Sequence, residues 1–508
     1  MQLRSYDWVA HHGRTQGDQQ AVVDLATDRR LTYAQLDDRC ARLARVLVEG
    51  FGIGPGDRVA VLAGNNSNMF EVQFACARIR AVMVPLNWRL TVPELEFICG
   101  DAGPQLLIHD HEHAAAAAAV AVSTGIGQRM NWDGGTDGVA DYEEALAAID
   151  PWDGPNEANH DDLLTIMYTS GTTGQPKGAL ITHGMLFWNA INQTEFFALG
   201  AGMVNLAFLP LFHTGGLNCF ANPAFHYGGS TVLMRKFDAA EALRLMSDPA
   251  VGITHVDGVP ANYLFMSQVP AFEDATFPTL VCAQVGGSPT PVSLLETWAA
   301  KGLLLQQAYG MTETSPLVLA LRAEDAISRI GSAGVPALHT EVRLATEDGG
   351  EAGVGETGEL WVRGPNVTPG YWNRPEATAE AITDGWLHTG DAARQDKDGF
   401  YYIVDRWKDM YISGGENVYP AEVENVIYQL DGVAEAAVIG VPDDRWVEVG
   451  RAYIVVRDGH QITETEVLDH CRQRLAKFKV PQSVRFIDEI PRNATGKTLK
   501  RELRLRED

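Results

Sequence analysis

Apolar residues recur at three- and four-residue spacing through "LTYAQLDDRCARLARVL" (31–47), and Thr32 stands where a helix N-cap belongs. That pattern predicts an amphipathic helix. The period then changes. "DRVAVLA" (57–63) is a short continuous apolar run, followed by helix-like "NMFEVQFACARIRA" and strand-like "VMVPLN". Strands alternating with helices argue for an α/β protein with parallel strands. "EHAAAAAAVAV" (112–122) predicts a surface helix, and "NWDGGTDG" and "PWDGPNEANHDD" read as loops around a short helix. "LLTIMYTS" (163–170) predicts a strand and "HGMLFWNAINQTEFFAL" a helix, with a Gly- and Thr-rich segment between them.

A boundary is expected near 405–410, "DRWKDM". Before it, "GELWVRG" and "GFYYIVD" have β character. After it come a Gly pair, a helix (421–430), strands "AEAAVIGV" and "RAYIVVR", a helix (464–476) and a strand "SVRFID". This is a compact α+β unit of about one hundred residues, small for a domain. The expected division is 1–407 and 408–508.

Composition narrows the field of partners. The chain has 508 residues and a net charge of −26, from 40 basic and 66 acidic residues. Such an acidic surface repels nucleic acid and anionic membranes. The six cysteines lie far apart without metal-binding spacing, as expected of reduced thiols in a cytoplasmic protein. The start lacks the apolar core of a signal peptide, and no 18-residue apolar run predicts a membrane span.

The candidate chemistry centres on "YTSGTTGQPKG" (168–178). Hydroxyls of Thr169, Ser170, Thr172 and Thr173, glycines at Gly171, Gly174 and Gly178, and the charge of Lys177 suit a phosphate cradle. It is not a Walker A loop, because Pro176 replaces the second Gly and Gly178 the Ser/Thr. Further motifs follow: "LPLFHTGG" (209–216), "QQAYGMTETS" (306–315), "GELWVRGPNVTPGYW" (358–372), "WLHTGD" (386–391), "DRWKDMYISGGENVYPAEVE" (405–424) and "PRNATGKTLKREL" (491–503). In this order they resemble the motifs of the adenylate-forming superfamily, which holds acyl-CoA synthetases, peptide-synthetase adenylation domains and beetle luciferases. The resemblance runs over nearly the whole chain.

It implies an α/β fold. A large N-terminal domain of mixed, largely parallel sheets would carry a β-barrel-like subdomain, followed by a small α+β domain. It also implies an AMP-forming acyl-CoA synthetase that uses a medium- or long-chain fatty or aryl acid, ATP and CoA, with Mg²⁺. The roles carried over are these. The loop from Thr169 to Lys177, with Gly287, Ser288, Ala308, Tyr309, Gly310 and Thr312, binds the nucleotide phosphates and base. Asp391, Ile403 and Arg406 hold the ribose side. Glu313 and Thr172 hold the metal, and Lys497 stabilises the charge that develops at phosphorus. Lys408 is the hinge about which the small domain turns between half-reactions, and Gly414, Gly415 and Glu416 face the CoA tunnel. His213 gates that tunnel. The acyl pocket is expected at Asn192, His213, Gly215, Asp257, Gly286, Gly287, Ala308 and Ser315, with its glycines and alanine leaving room for a bulky acid.

Asp257 is unusual there, because relatives often carry an aromatic residue. Two readings stand: a loop acid pointing away, or a carboxylate facing a polar substrate tail. His109, His111 and His113 read as a solvated turn and not a metal site. An enzyme that loads a carrier protein and an idle nucleotide-binding regulator are the rivals. The second is weakened by Lys497, Glu313 and Asp391 occurring together. A homodimer is compatible with these expectations.

Overall fold

The computed structural model describes residues 3–136, 138–170, 176–346, 349–406, 409–413, 416–443, 445–492 and 498–506. The first predicted helix forms over Tyr33–Arg45, and Thr32 and Gln35 close a reciprocal capping box at its start. That box satisfies two backbone donors that a helix start otherwise leaves unpaired. Val46–Gly50 then continue it as a π-turn.

Two large sheets dominate. One has seven strands in the spatial order 140–141, 128–131, 106–109, 58–62, 82–86, 163–170 and 176–182, parallel except for its last pair. The other has nine strands, with 204–207, 230–233, 255–258, 282–286 and 305–310 parallel at its centre and antiparallel pairs at both edges. Helix Asn68–Ile79 is buried along its whole length, in a core cluster that takes residues from both sheets. A helix covered all round must satisfy its charges internally. Its Glu71 accepts from Arg39 Nε at 2.8 Å and from the Tyr142 hydroxyl at 2.7 Å.

The expected barrel-like unit is a five-stranded antiparallel sheet built from 341–345, 357–363, 382–383, 386–395 and 401–406. The C-terminal unit packs its own core, with Val423 and Ile427 of one helix and Val467 and Cys471 of another against Val438, Ala452 and Ile454. Its long hairpin pairs 433–443 with 447–456.

One sequence reading is corrected here. His109 is buried at the end of strand Leu106–His109, so the three histidines do not share a solvated turn. His113 Nδ1 lies 2.6 Å from the Asp110 carboxylate. All six cysteines are buried and unbridged. No helix among the described residues is long and apolar enough to cross a membrane.

Candidate active site

In open parallel sheets, ligands bind beyond the carboxyl ends of the strands. The motifs "LPLFHTGG" and "QQAYGMTETS" lie there, at the ends of strands Val204–Ala207 and Leu305–Gly310 of the nine-stranded sheet. Strand Cys282–Gly286 runs into Gly287, which takes φ +81°. Its neighbour Leu305–Gly310 ends in "AYG", and the chain then turns through Thr312–Thr314. Gly310 has no alternative at its position. A Cβ there would lie 1.9 Å from the Pro316 carbonyl oxygen, and the register with Leu317–Ala320 shifts at that point.

Tyr309 leaves this turn towards the five-stranded sheet. Its hydroxyl donates to Asp391 Oδ2 at 2.6 Å, and its ring packs on the same apolar cluster as Ile403. Asp391 is buried and follows Gly390, whose φ of +70° favours glycine. Glu359 of the "GELW" motif fixes that turn, accepting from Gly390 N at 3.0 Å and from Trp361 Nε1 at 2.8 Å. The Trp361 ring stacks on His388 with centroids 3.9 Å apart. A carboxylate is thus held rigidly beside an aromatic ring, an arrangement suited to a ribose diol and a stacked base.

Thr312 and Glu313 are buried at the opposite side of the turn. The Tyr371 hydroxyl donates to Glu313 Oε1 at 2.9 Å, and Lys177 Nζ lies 5.4 Å from the Tyr371 ring centre. Burial first, and Glu313 second, hold the Tyr371 phenol protonated far above its ordinary range. Lys177 is on strand Pro176–Thr182, which pairs with Leu163–Ser170. The "NVTPGYW" segment ties these pieces together by its backbone. Thr368 N donates to the Glu313 carbonyl at 2.7 Å, and Trp372 N to that of Gly178 at 2.8 Å. Asn366 Nδ2 donates to the carbonyls of Thr314 and Leu317 at 3.1 and 2.8 Å. Tyr371, Asn366, Thr368 and Glu359 were in quoted motifs without a role. Their types alone carry no signal of it, because each acts through a contact distant in sequence.

The Tyr371 hydroxyl takes only one of the two Glu313 carboxylate oxygens, Oε1. Mg²⁺ is usually held by one or two carboxylates and by substrate phosphates, so this donor set fits it. No group of three His, Cys, Asp or Glu residues among the described residues forms a cage for a metal.

The expected acyl-pocket residues divide. Gly215, Gly286 and Ala308 are half-buried, and Ser315 is fully buried, its hydroxyl without a hydrogen-bond partner among the described residues. A Cβ at Gly286 would lie 2.7 Å from the Ala308 carbonyl oxygen. Asn192 has both ends of its amide engaged, donating to Thr340 Oγ1 at 3.2 Å and accepting from His339 N at 3.1 Å; it braces a loop. His213 Nδ1 accepts from Gly215 N at 3.2 Å, in the turn that enters the π-helical segment Gly215–Cys219. Asp257 is no loop acid. It lies in strand His255–Gly258 and is buried. Burial pushes its carboxyl up to about 7, with partial relief from the Cys219 thiol and the Gly258 backbone.

Gly171, Thr172, Thr173, Gly174, Lys408, Gly414, Gly415 and Lys497 lie outside the described residues, and Ser170, Arg406 and Glu416 are described in backbone alone. Thr169 faces Lys177 across the hairpin. Ser288 follows Gly287, half-buried.

The AMP-binding enzyme model matches residues 9–372, and the AMP-binding enzyme C-terminal domain model matches 422–497. The chain is an AMP-binding enzyme. This AMP-binding enzyme is 46% identical to a feruloyl-CoA synthase of Amycolatopsis sp, over 94% of each chain. It superposes on the crystal structure of ATP-bound MatB from Rhodopseudomonas palustris with a TM-score of 0.90, at 32% identity and 99% coverage of both chains. It also superposes on the o-succinylbenzoate CoA synthetase MenE from Bacillus subtilis in complex with the acyl-adenylate intermediate OSB-AMP. There the TM-score is 0.87, at 31% identity, with 98% of this chain and 97% of that one covered.

Proposed function

We propose that the chain is an AMP-forming acyl-CoA synthetase acting on aryl acids. The acid attacks the α-phosphorus of ATP to give acyl-AMP and pyrophosphate, and the CoA thiol then displaces AMP to give the thioester. Two displacements replace one difficult attack, since AMP leaves far more readily than oxide. The observation that carries the reading is the convergence of Tyr309–Asp391 and Glu313–Tyr371–Lys177 on one turn at the sheet edge. The feruloyl-CoA synthase at 46% identity supports the aryl class.

In this reading Asp391 accepts from the ribose hydroxyls, and Tyr309, already oriented by that carboxylate, stacks on the base. Lys177 and the segment 171–175 grip the departing pyrophosphate. Glu313, steadied by Tyr371, would hold Mg²⁺, which would supply positive charge against the phosphates. Lys497 approaches the α-phosphate in the first step and leaves for the second, as residues 408–508 turn about Lys408 and bring Gly414, Gly415 and Glu416 to the CoA tunnel. A cytoplasmic setting belongs to the same reading.

The test is a panel of aryl, straight-chain and polar-tailed acids read by pyrophosphate release with ATP. Release dependent on an aryl acid, and acceleration by CoA, are expected. Preference for straight-chain acids over every aryl acid would overturn the aryl assignment.

A further inference from the structure

The sheet face that carries Gly286 and Ala308 continues inward to a polar patch. Backbone register pairs Asp257 with Gln284, and Gln284 with Gln306. Registered neighbours in a parallel sheet leave the same side, as do residues two apart on one strand. Gly286 and Ala308 therefore share that side, roughly 7 Å nearer the strand ends. Helix His183–Phe197 and the turn Gly215–Cys219 pack over this face: Phe196, Phe197 and Phe220 cluster with Cys282 and Ala308.

The patch is satisfied only in part. Gln306 is engaged, its Nε2 donating to the carbonyls of Phe196 at 3.0 Å and Leu321 at 3.2 Å. Gln284 is 4% exposed, and its Oε1 has no hydrogen-bond partner among the described residues. Beside it, Asp257 is 8% exposed, and no Lys, Arg or His among the described residues acts on its carboxyl. The Cys219 thiol interacts with both side chains. Tyr263 and Cys282 are the other titratable groups near Asp257. Buried polar groups in native proteins are nearly always paired. Gln284 Oε1, unpartnered among the described residues, lies beside an Asp257 carboxyl that has the Cys219 thiol and the Gly258 backbone as partners; below the small residues Gly286 and Ala308, it points to a ligand that completes the patch.

We infer that Asp257 and Gln284 form the far end of the acyl site and recognise a ring hydroxyl on the aryl acid. The inference rests on the ligase reading above. An acid whose carboxylate reacts at the strand ends, beside Gly287 and Thr312, extends its ring down this face to the level of Asp257. A hydroxyl both gives and takes a hydrogen bond. Its proton goes to Gln284 Oε1, and its oxygen accepts from the Asp257 carboxyl. Because burial raises that carboxyl to about 7, its acid form is populated at neutral pH and can donate. An unsubstituted ring leaves Gln284 Oε1 unpaired and gives the Asp257 carboxyl no acceptor on the ligand, which is how a hydrogen-bonding site rejects an analogue lacking the group.

The experiment compares three aryl acids that differ in one para position, carrying hydroxyl, amino or hydrogen. Each is read as kcat/KM for pyrophosphate release with the full-length enzyme, its Asp257→Leu variant and its Gln284→Leu variant. The native enzyme is expected to favour the hydroxylated acid over the unsubstituted one by about 10²-fold or more. Each variant should compress that ratio at least about tenfold and raise kcat/KM for the unsubstituted acid, a gain that misfolding cannot imitate. The KM for ATP reports the integrity of each variant. Turnover without a hydroxyl preference, preference for the amino acid, or a ratio unchanged in both variants overturns the inference alone. A native enzyme that releases no pyrophosphate with any acid overturns the ligase reading and the inference with it.

Discussion

Asp257 makes a prediction about stability that needs no substrate. Its carboxyl moves from an ordinary 3.8 to about 7 on folding. A raised folded value means that the folded state binds the proton more tightly than the unfolded chain. The associated stability is complete below about pH 4, declines as pH rises, and is lost once pH passes about 7. The span corresponds to about 4 kcal/mol. Asp257→Asn keeps the shape and removes the titration. At pH 4 the two proteins should differ by a constant offset only. Between pH 4 and 7 the variant should gain on the native protein, and above pH 7 the gap should level. If an N-terminal unit of roughly 400 residues melts as one body, about 4 kcal/mol corresponds to a relative shift of about 5 °C. Melting temperatures measured on both proteins at half-unit pH steps give the difference curve. Groups common to both cancel, including His183 and His226, each pushed down to about 4 by burial. A flat difference curve would mean that Asp257 is solvated or paired, and would refute the burial argument.

Lys497→Ala should slow adenylation by about 10²–10³ while thioester formation from synthetic acyl-AMP and CoA persists; equal losses in both steps would remove Lys497 from its proposed role. Lys408→Pro fixes φ near −65°, so pyrophosphate exchange should outlast CoA-dependent turnover, and parallel loss would place the hinge elsewhere. Gly310→Ala puts a Cβ 1.9 Å from the Pro316 oxygen, and should destabilise by about 3 kcal/mol or more; an unchanged melting temperature would contradict the tight turn. Tyr371→Phe removes the donor to buried Glu313, a bond worth about 1.5–3 kcal/mol, and should raise the Mg²⁺ concentration needed for half-maximal rate; an unchanged requirement would separate Tyr371 from the metal.

Long, periodic elements were legible because their signals are local. The helix over Tyr33–Arg45 follows from Thr32 and the apolar spacing, both within one segment. Strand His255–Gly258 was not legible. It has four residues and ends in Asp-Gly, a pair that ordinarily marks a turn, and only pairing with strands on both sides reveals it. His109 was misread for the same reason, since its burial comes from neighbouring strands 58–62 and 128–131. At the site, Glu313 and Asp391 stood out as acids in distinctive motifs. Tyr371 did not, because its partner is 58 residues away. Gln284 gave no signal at all; its interest lies in an absent hydrogen bond.

Product analysis tests the central claim most directly. The protein is incubated with ATP, Mg²⁺, CoA and a hydroxylated aryl acid, and nucleotides and thioesters are quantified together. AMP, pyrophosphate and acyl-CoA should appear in equal amounts, with acyl-AMP accumulating when CoA is omitted. ADP and phosphate, or acyl-AMP that free CoA fails to consume, would contradict it.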